Sequence, residues 1–239
     1  MTDAFTRLFA QMLASGQEMA RAFNPALEHV DMRAMEKLVP TMPADMLEMW
    51  FGKTFNRVSV DGDTSTNDTI LGLANGASGV TAASAADMGL LEEALTAILA
   101  QVSYMLVKDG EGAHKVIHIT VTGAANDADA ELVARSVGHS QLVKTAIYGG
   151  DANWGRIVTA VGYSGAKFDP TKVSMKLCGI ERFQKGCPVN DDQEDALAEL
   201  LKGKDVQVDI ELGNGNGSYS FKASDLGHEY VTLNSDYRS

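Results

Sequence analysis

Four short polar stretches hold the side chains best suited to chemistry. In residues 108–115, KDGEGAHK, Glu111 stands between Gly110 and Gly112, so bare backbone lets a ligand come close while one carboxylate meets it. That suits recognition of an ammonium group, although a glycine-flanked Glu in a surface turn is in general only solvated. Residues 60–68, VDGDTSTND, gather Asp61, Asp63 and Asp68 with Thr64, Ser65 and Thr66 beside Gly62. The ligand series of a calcium loop, ending in a bidentate Glu, is absent, and a hydrogen-bonded turn between strands is the stronger reading. In residues 149–156, GGDANWGR, Asp151, Asn153 and Arg156 surround Trp154. A rigid polar site with an aromatic anchor and an indole packed under a loop, with Asp151 paired to Arg156, fit this stretch equally. The fourth stretch is the C-terminal YVTLNSDYRS, where Asn234 and Ser239 are short hydrogen-bonding residues within reach of a nearby pocket, on an end that is normally frayed.

No other spacing points to catalysis. The five histidines, His29, His114, His118, His139 and His228, form no HExxH pair, and the chain has no GxSxG elbow, P-loop or dinucleotide fingerprint. His118 lies in a strand candidate and reads as a structural histidine. Cys178 and Cys187 are too few for a disulfide framework and have no second pair to complete a zinc site. Neither a metal nor a cofactor is expected, and a reducing cytoplasm is the simplest compartment.

The elements that must position these stretches fall into two kinds. Of the 11 methionines, eight lie in the first 49 residues, whereas only Gly16 and Gly52 of the 23 glycines precede Lys53. Residues 1–53 read as short amphipathic helices: one carries Phe5, Leu8, Phe9, Met12, Leu13 and Met19 and stops at Asn24-Pro25. A second carries Met32, Met35, Leu38 and Val39, and a third follows Pro43 with Met46, Leu47, Trp50 and Phe51. Helices this short are marginal alone and need a surface on which to bury their stripe.

From Thr54 the pattern is mixed α/β. Strands are expected at 55–60, 68–74, 115–122, 156–163, 172–178, 205–212 and 216–222, each bounded by Gly, Asp or Asn. Helices are expected at about 84–107, 126–137, 139–147 and 190–202. The first opens on Ser84 with Asp87 three residues on, a variant of the capping box. The order fits a layered α/β or α+β domain over 54–239, preceded by a short all-α segment over 1–53.

Size and charge set the outer limits. The 239 residues, 45% hydrophobic and 22% charged, suffice for one large or two small domains. Twenty Lys and Arg stand against 32 Asp and Glu, a net charge of -12, so a nucleic-acid partner would meet a repulsive field and none is expected. Ten of those twelve net charges lie after Lys53, because residues 1–53 hold seven acids and five bases. No run approaches 18 apolar residues, the N-terminus is unlike a signal peptide, and the helices of 1–53 lack the Lys/Arg excess of membrane-surface helices, so no membrane partner is expected.

Taken together, TFNRVSVDGDTSTNDT (54–69), KDGEGAHK (108–115), SQLVKTAIYGGDANWGRI (140–157) and LNSDYRS (233–239) closely resemble the β-chain portion of the bifunctional ornithine acetyltransferase/glutamate N-acetyltransferase family, in order and in spacing. The resemblance implies the family's fold over 54–239 and its chemistry, acetyl transfer between N-acetylornithine and glutamate in arginine biosynthesis. In that family a precursor cuts itself before a Thr, which becomes the first β-chain residue and the nucleophile. Its new α-amino group, with an ordinary pKa of about 7.7–8.0, accepts the hydroxyl proton near neutral pH. An oxyanion hole on the α chain stabilises the tetrahedral intermediate.

Carried over by motif, Glu111 and Asn234 match substrate-binding residues, and Ser239 stands where the family usually has a terminal substrate-binding Thr. No catalytic residue carries over. The nucleophilic Thr of the family lies in an Ala-Thr-Met-Leu stretch, whose nearest echo here is Ala44-Asp45-Met46-Leu47, with Asp in place of Thr. Residues 1–53 read as unrelated to the family and faintly resemble the helical lead of carboxymuconolactone decarboxylase-like proteins. The implied partners are substrates of the N-acetylornithine/glutamate type, with an α-like chain supplied separately or a homo-oligomer. Two functions follow: an acetyltransferase that needs its missing parts, or a non-catalytic remnant acting as a binding or interaction module.

Overall fold

A computed structural model describes residues 44–65, 68, 70, 84–189 and 193–236, with side chains from Met49 onward. The first two helices expected in the lead, and most of the strand expected at 68–74, lie outside the described residues. By internal contacts the chain divides into two units, residues 1–54 with 65–102, and residues 55–64 with 103–239.

In the first unit, α1 (Ala44–Lys53) is the third expected lead helix. Its Trp50 is buried, and Thr54 Oγ1 donates back to the Trp50 carbonyl at 2.7 Å, closing the last turn. Lys53 Nζ pairs with Glu92 on α2 (Ala85–Lys108) at 2.6 Å. The reciprocal cap expected for α2 is present: Asp87 N–H donates to Ser84 Oγ and Ser84 N–H to Asp87 Oδ2, each at 3.1 Å. Among the described residues α2 alone has the length and apolarity of a bilayer-spanning helix, a match of length and composition only.

The second unit is built on a seven-stranded mixed sheet: β1 (Val58–Ser59), β2 (Val116–Ala124), β3 (Ser174–Leu177), β4 (Ile180–Gln184), β5 (Cys187–Pro188), β6 (Asp205–Glu211) and β7 (Gly217–Ser224). Their order across the sheet is β1-β7-β2-β6-β3-β4-β5, with β1/β7 and β2/β6 parallel and the other pairs antiparallel. Alternation in β2, β6 and β7 sends Ile117, Ile119, Val121, Val206, Val208, Ile210, Tyr219 and Phe221 to one face. There they join a core with α3 (Asp127–His139), α4 (Gln141–Tyr148), α5 (Trp154–Gly162) and α6 (Glu194–Leu200). Each fully buried Leu, Ile or Phe contributes roughly 1.5–3 kcal/mol by leaving water. The opposite face is polar, and there His118 Nε2 meets Asp205 Oδ1 at 2.8 Å, the structural role expected of it.

Two expectations are corrected. The strand expected at 156–163 is instead the body of helix α5 (Trp154–Gly162), with Tyr163 as its C-cap. The β-branched Ile157, Val158, Thr159 and Val161 suggested extension, but Ile157, Ala160 and Val161 are buried at helical spacing and Asn153 caps the first turn. At 55–60 a single 3-10 turn (Phe55–Arg57) precedes a strand of only two residues. A helix the sequence reading lacked, α7 (His228–Asp236), follows β7; it buries no residue and is held by polar contacts.

Candidate active site

The site is assembled from three segments of the second unit: the turn at 109–113, the loop at 60–63, and α7. The turn leaves the end of α2 through Gly110, whose N–H donates to the Val107 carbonyl, and closes when Ala113 N–H donates to Gly110 O at 2.9 Å. It is then fastened to the core from beneath. His114 and Lys115 N–H both donate to Asp225 Oδ1, at 2.8 and 3.0 Å, and Asp225 N–H donates back to Lys115 O. Lys115 Nζ spans the carbonyls ending α4 and α6, Ile147 O and Leu201 O, each at 2.8 Å. Backbone and anchors are thus consumed by the fold while the Glu111 side chain stays exposed.

The glycines on either side of Glu111 are required by what surrounds them. A Cβ at Gly110 would lie 2.9 Å from both Val60 methyl carbons, and one at Gly112, where φ is +65°, would lie 2.3 Å from the Tyr230 nitrogen of α7. The turn therefore seats directly on the 60–63 loop and on the first turns of α7. Asn234, further along α7, donates from Nδ2 to Glu111 Oε2 at 2.8 Å and to the Tyr230 carbonyl at 3.0 Å. The two candidate residues, 123 positions apart in the chain, share one hydrogen bond. Ser239, the third candidate, lies outside the described residues.

The 60–63 loop holds α7 from the other side. Tyr230 OH donates to Asp61 Oδ2 at 3.0 Å, while Asp61 Oδ1 accepts from Asp63 N–H at 2.9 Å. Burial, the hydrogen bond to Asp61 and the carboxylates around it raise the Tyr230 phenol above its ordinary range, so it remains a donor. The Asp63 N–H to Asp61 Oδ1 bond closes the hydrogen-bonded turn expected at VDGD. Beneath the loop, the fully buried Lys144 of α4 donates to Val60 O and to Ser224 Oγ, the latter at 3.3 Å, and Ser224 Oγ donates to Val60 O at 2.8 Å. Burial lowers the Lys144 ammonium to about 8 against the favourable pull of Asp61 and Asp225. Burial likewise pushes the neighbouring His139 imidazole below its ordinary value, helped by the charges of Arg135 and Lys144.

Sequence reasoning singles out Glu111 and Asn234 and reads the Asp61 stretch as a turn; it passes over Tyr230, Lys144 and Asp225. Lys144 had a signal: it falls within the buried stripe Val143, Ala146, Ile147 of α4, where a lysine is out of place. The GGDANWGR stretch, by contrast, has structural employment. Asn153 caps α5 and donates to Asp151 Oδ2, Arg156 donates to Leu142 O at 2.9 Å, and Trp154 lies 5.8 Å from the Phe183 ring. Arg156 donates to that carbonyl in the first turn of α4 and does not pair with Asp151.

The second unit is thus a mixed α/β domain in which a carboxylate on a glycine-flanked turn and an amide on α7 meet. The chain belongs to the ArgJ family, whose model matches residues 34–239. It is 53% identical to the arginine biosynthesis bifunctional protein ArgJ of Nitratidesulfovibrio vulgaris over 249 aligned residues, covering 100% of this chain and 63% of that protein. The ArgJ protein of Syntrophotalea carbinolica is 45% identical over 188 residues, 78% of this chain and 48% of the relative. The crystal structure of ArgJ from Bacillus halodurans superimposes with a TM-score of 0.77 at 37% identity, over 81% of this chain and 92% of that one. The chain thus spans less than two thirds of the length of these two full-length relatives. The family match begins at residue 34 and the first alignment takes in the whole chain, so similarity to the family reaches into the lead that was read as unrelated.

Proposed function

We propose that the second unit carries the substrate-binding part of an acetyl-transfer site, with Glu111 and Asn234 recognising substrates of the N-acetylornithine and glutamate type and Ser239 completing the set. The observation that supports this is the 2.8 Å bond from Asn234 Nδ2 to Glu111 Oε2, which leaves the other Glu111 oxygen without a hydrogen bond to any described residue. A carboxylate held this way, on a turn whose backbone is already satisfied, favours an ammonium group, and the amide beside it, whose two N–H groups are taken by Glu111 and the Tyr230 carbonyl, offers its Oδ1 as acceptor to an N–H of the same ligand.

We infer further that these 239 residues do not supply the nucleophile. No Ala-Thr-Met-Leu stretch occurs in these residues, the nearest echo at 44–47 has Asp45 in place of Thr and lies too close to Thr54 to be the same element, and loss of a nucleophile commonly costs about 10,000-fold or more. Transfer of acetyl from N-acetylornithine to glutamate by the purified chain is the test. No turnover above a Glu111→Ala control is the expected result; turnover that Glu111→Ala abolishes would show that a nucleophile is present within the chain.

A further inference from the structure

We propose that Lys144 is a positioning residue for this site: its ammonium fixes the Val60 carbonyl, and Val60 and Asp61 together set both the turn bearing Glu111 and the helix bearing Asn234. This rests on the reading of Glu111 and Asn234 as the ligand-binding pair. Each link is a contact. Lys144 is 3% exposed and donates to Val60 O, which also accepts from Ser224. The Val60 methyls occupy the space a side chain at Gly110 would need, so the turn rests on Val60. The next residue, Asp61, receives the Tyr230 hydroxyl, and the Tyr230 carbonyl in turn receives Asn234 Nδ2. One buried side chain therefore braces a loop that touches both halves of the Glu111–Asn234 pair.

A lysine is an expensive brace, because burial of its charge is repaid only by good partners. Two carboxylates bear on it, Asp61 from the loop and Asp225 from the end of β7, and His139 from α3 adjoins it. Asp225 Oδ2 is buried without a hydrogen-bond partner, so its charge is left to face Lys144. The arrangement serves geometry more than stability: an apolar isostere would remove the cost of burial and leave Val60 O to Ser224 alone.

Amide hydrogen exchange on the whole chain separates the two. In Lys144→Met the protection of residues 109–113 and 228–236 falls at least about tenfold, the equivalent of roughly one charged hydrogen bond, while β2 and β6 keep theirs. Unchanged protection in those segments, or equal loss throughout the domain, overturns the proposal. The wild-type chain supplies a second reading should that variant fail to fold. Lys144 has a closed-state pKa near 8 and an open-state value near 10.5, so between these the open state binds more protons and closure gains with pH. Protection of 228–236, corrected for intrinsic rate, is therefore expected to rise about twentyfold from about pH 7.5 to about pH 9.5. A flat or falling profile means that opening of this site does not involve Lys144. Titration with N-acetylornithine tests the underlying reading separately: if wild type fails to bind it, the substrate assignment falls while the exchange result on Lys144 stands.

Discussion

The turn at 108–115 and the loop at 149–156 look alike as sequence and differ in what the fold leaves free. Both are Gly-rich, both carry an acid and a base, and both join a helix to the next element. In the loop the side chains are spent on structure: Asn153 caps α5, Arg156 satisfies Leu142 O, and Trp154 packs toward Phe183. In the turn the backbone is satisfied by Asp225 and by its own carbonyls, and the glycines bring it against Val60 and Tyr230. Glu111 is then left with only Asn234 as a hydrogen-bonding partner among the described residues. A polar loop becomes a candidate site when its backbone is satisfied by buried groups from elsewhere and its side chains are not needed to do the same for others.

Substitutions that reverse this division sharpen the contrast. Gly112→Ala carries the largest effect, because an added Cβ meets backbone at 2.3 Å in a left-handed conformation. A loss of about 3 kcal/mol in urea unfolding, or release of α7 seen as lost exchange protection, is expected. A change under about 0.5 kcal/mol with α7 in place would mean that the turn has room to shift. Asn153→Ala removes a cap and is expected to cost about 1 kcal/mol without disturbing the Glu111–Asn234 bond. Loss of that bond, read from the amide signals of residues 230–236, would join the two regions that we separate. Glu111→Gln is the smallest, within about 0.5 kcal/mol of wild type, because the side chain is exposed and carries no structural bond beyond Asn234. A larger loss would make Glu111 a structural residue.

Much of this was legible in the sequence, for physical reasons that differ by region. Strands β2, β6 and β7 were readable because alternation between a buried and a polar face leaves a period of two, and α2 because its cap is written in Ser84 and Asp87. Helix α5 was not, since β-branched residues over a short span satisfy either period, and the deciding cap, Asn153, stood inside a stretch that drew attention as chemistry. Helix α7 was invisible because it has no buried stripe; it is held by Tyr230, Asn234 and the loops they touch, contacts that exist only once the chain has folded. For the same reason Glu111 and Asn234 were singled out separately, while Lys144 and Tyr230, whose roles depend on neighbours more than 60 residues away, were not.

The central claim is that Glu111 and Asn234 form one ligand site, and titration of the labelled chain with N-acetylornithine, followed through backbone amide signals, tests it most directly. The expected result is a saturable shift at residues 110–113 and 230–236 together, with one dissociation constant, lost in Glu111→Ala while the rest of the spectrum is unchanged. Absence of any shift in the wild-type chain, or a shift that survives Glu111→Ala, would contradict it.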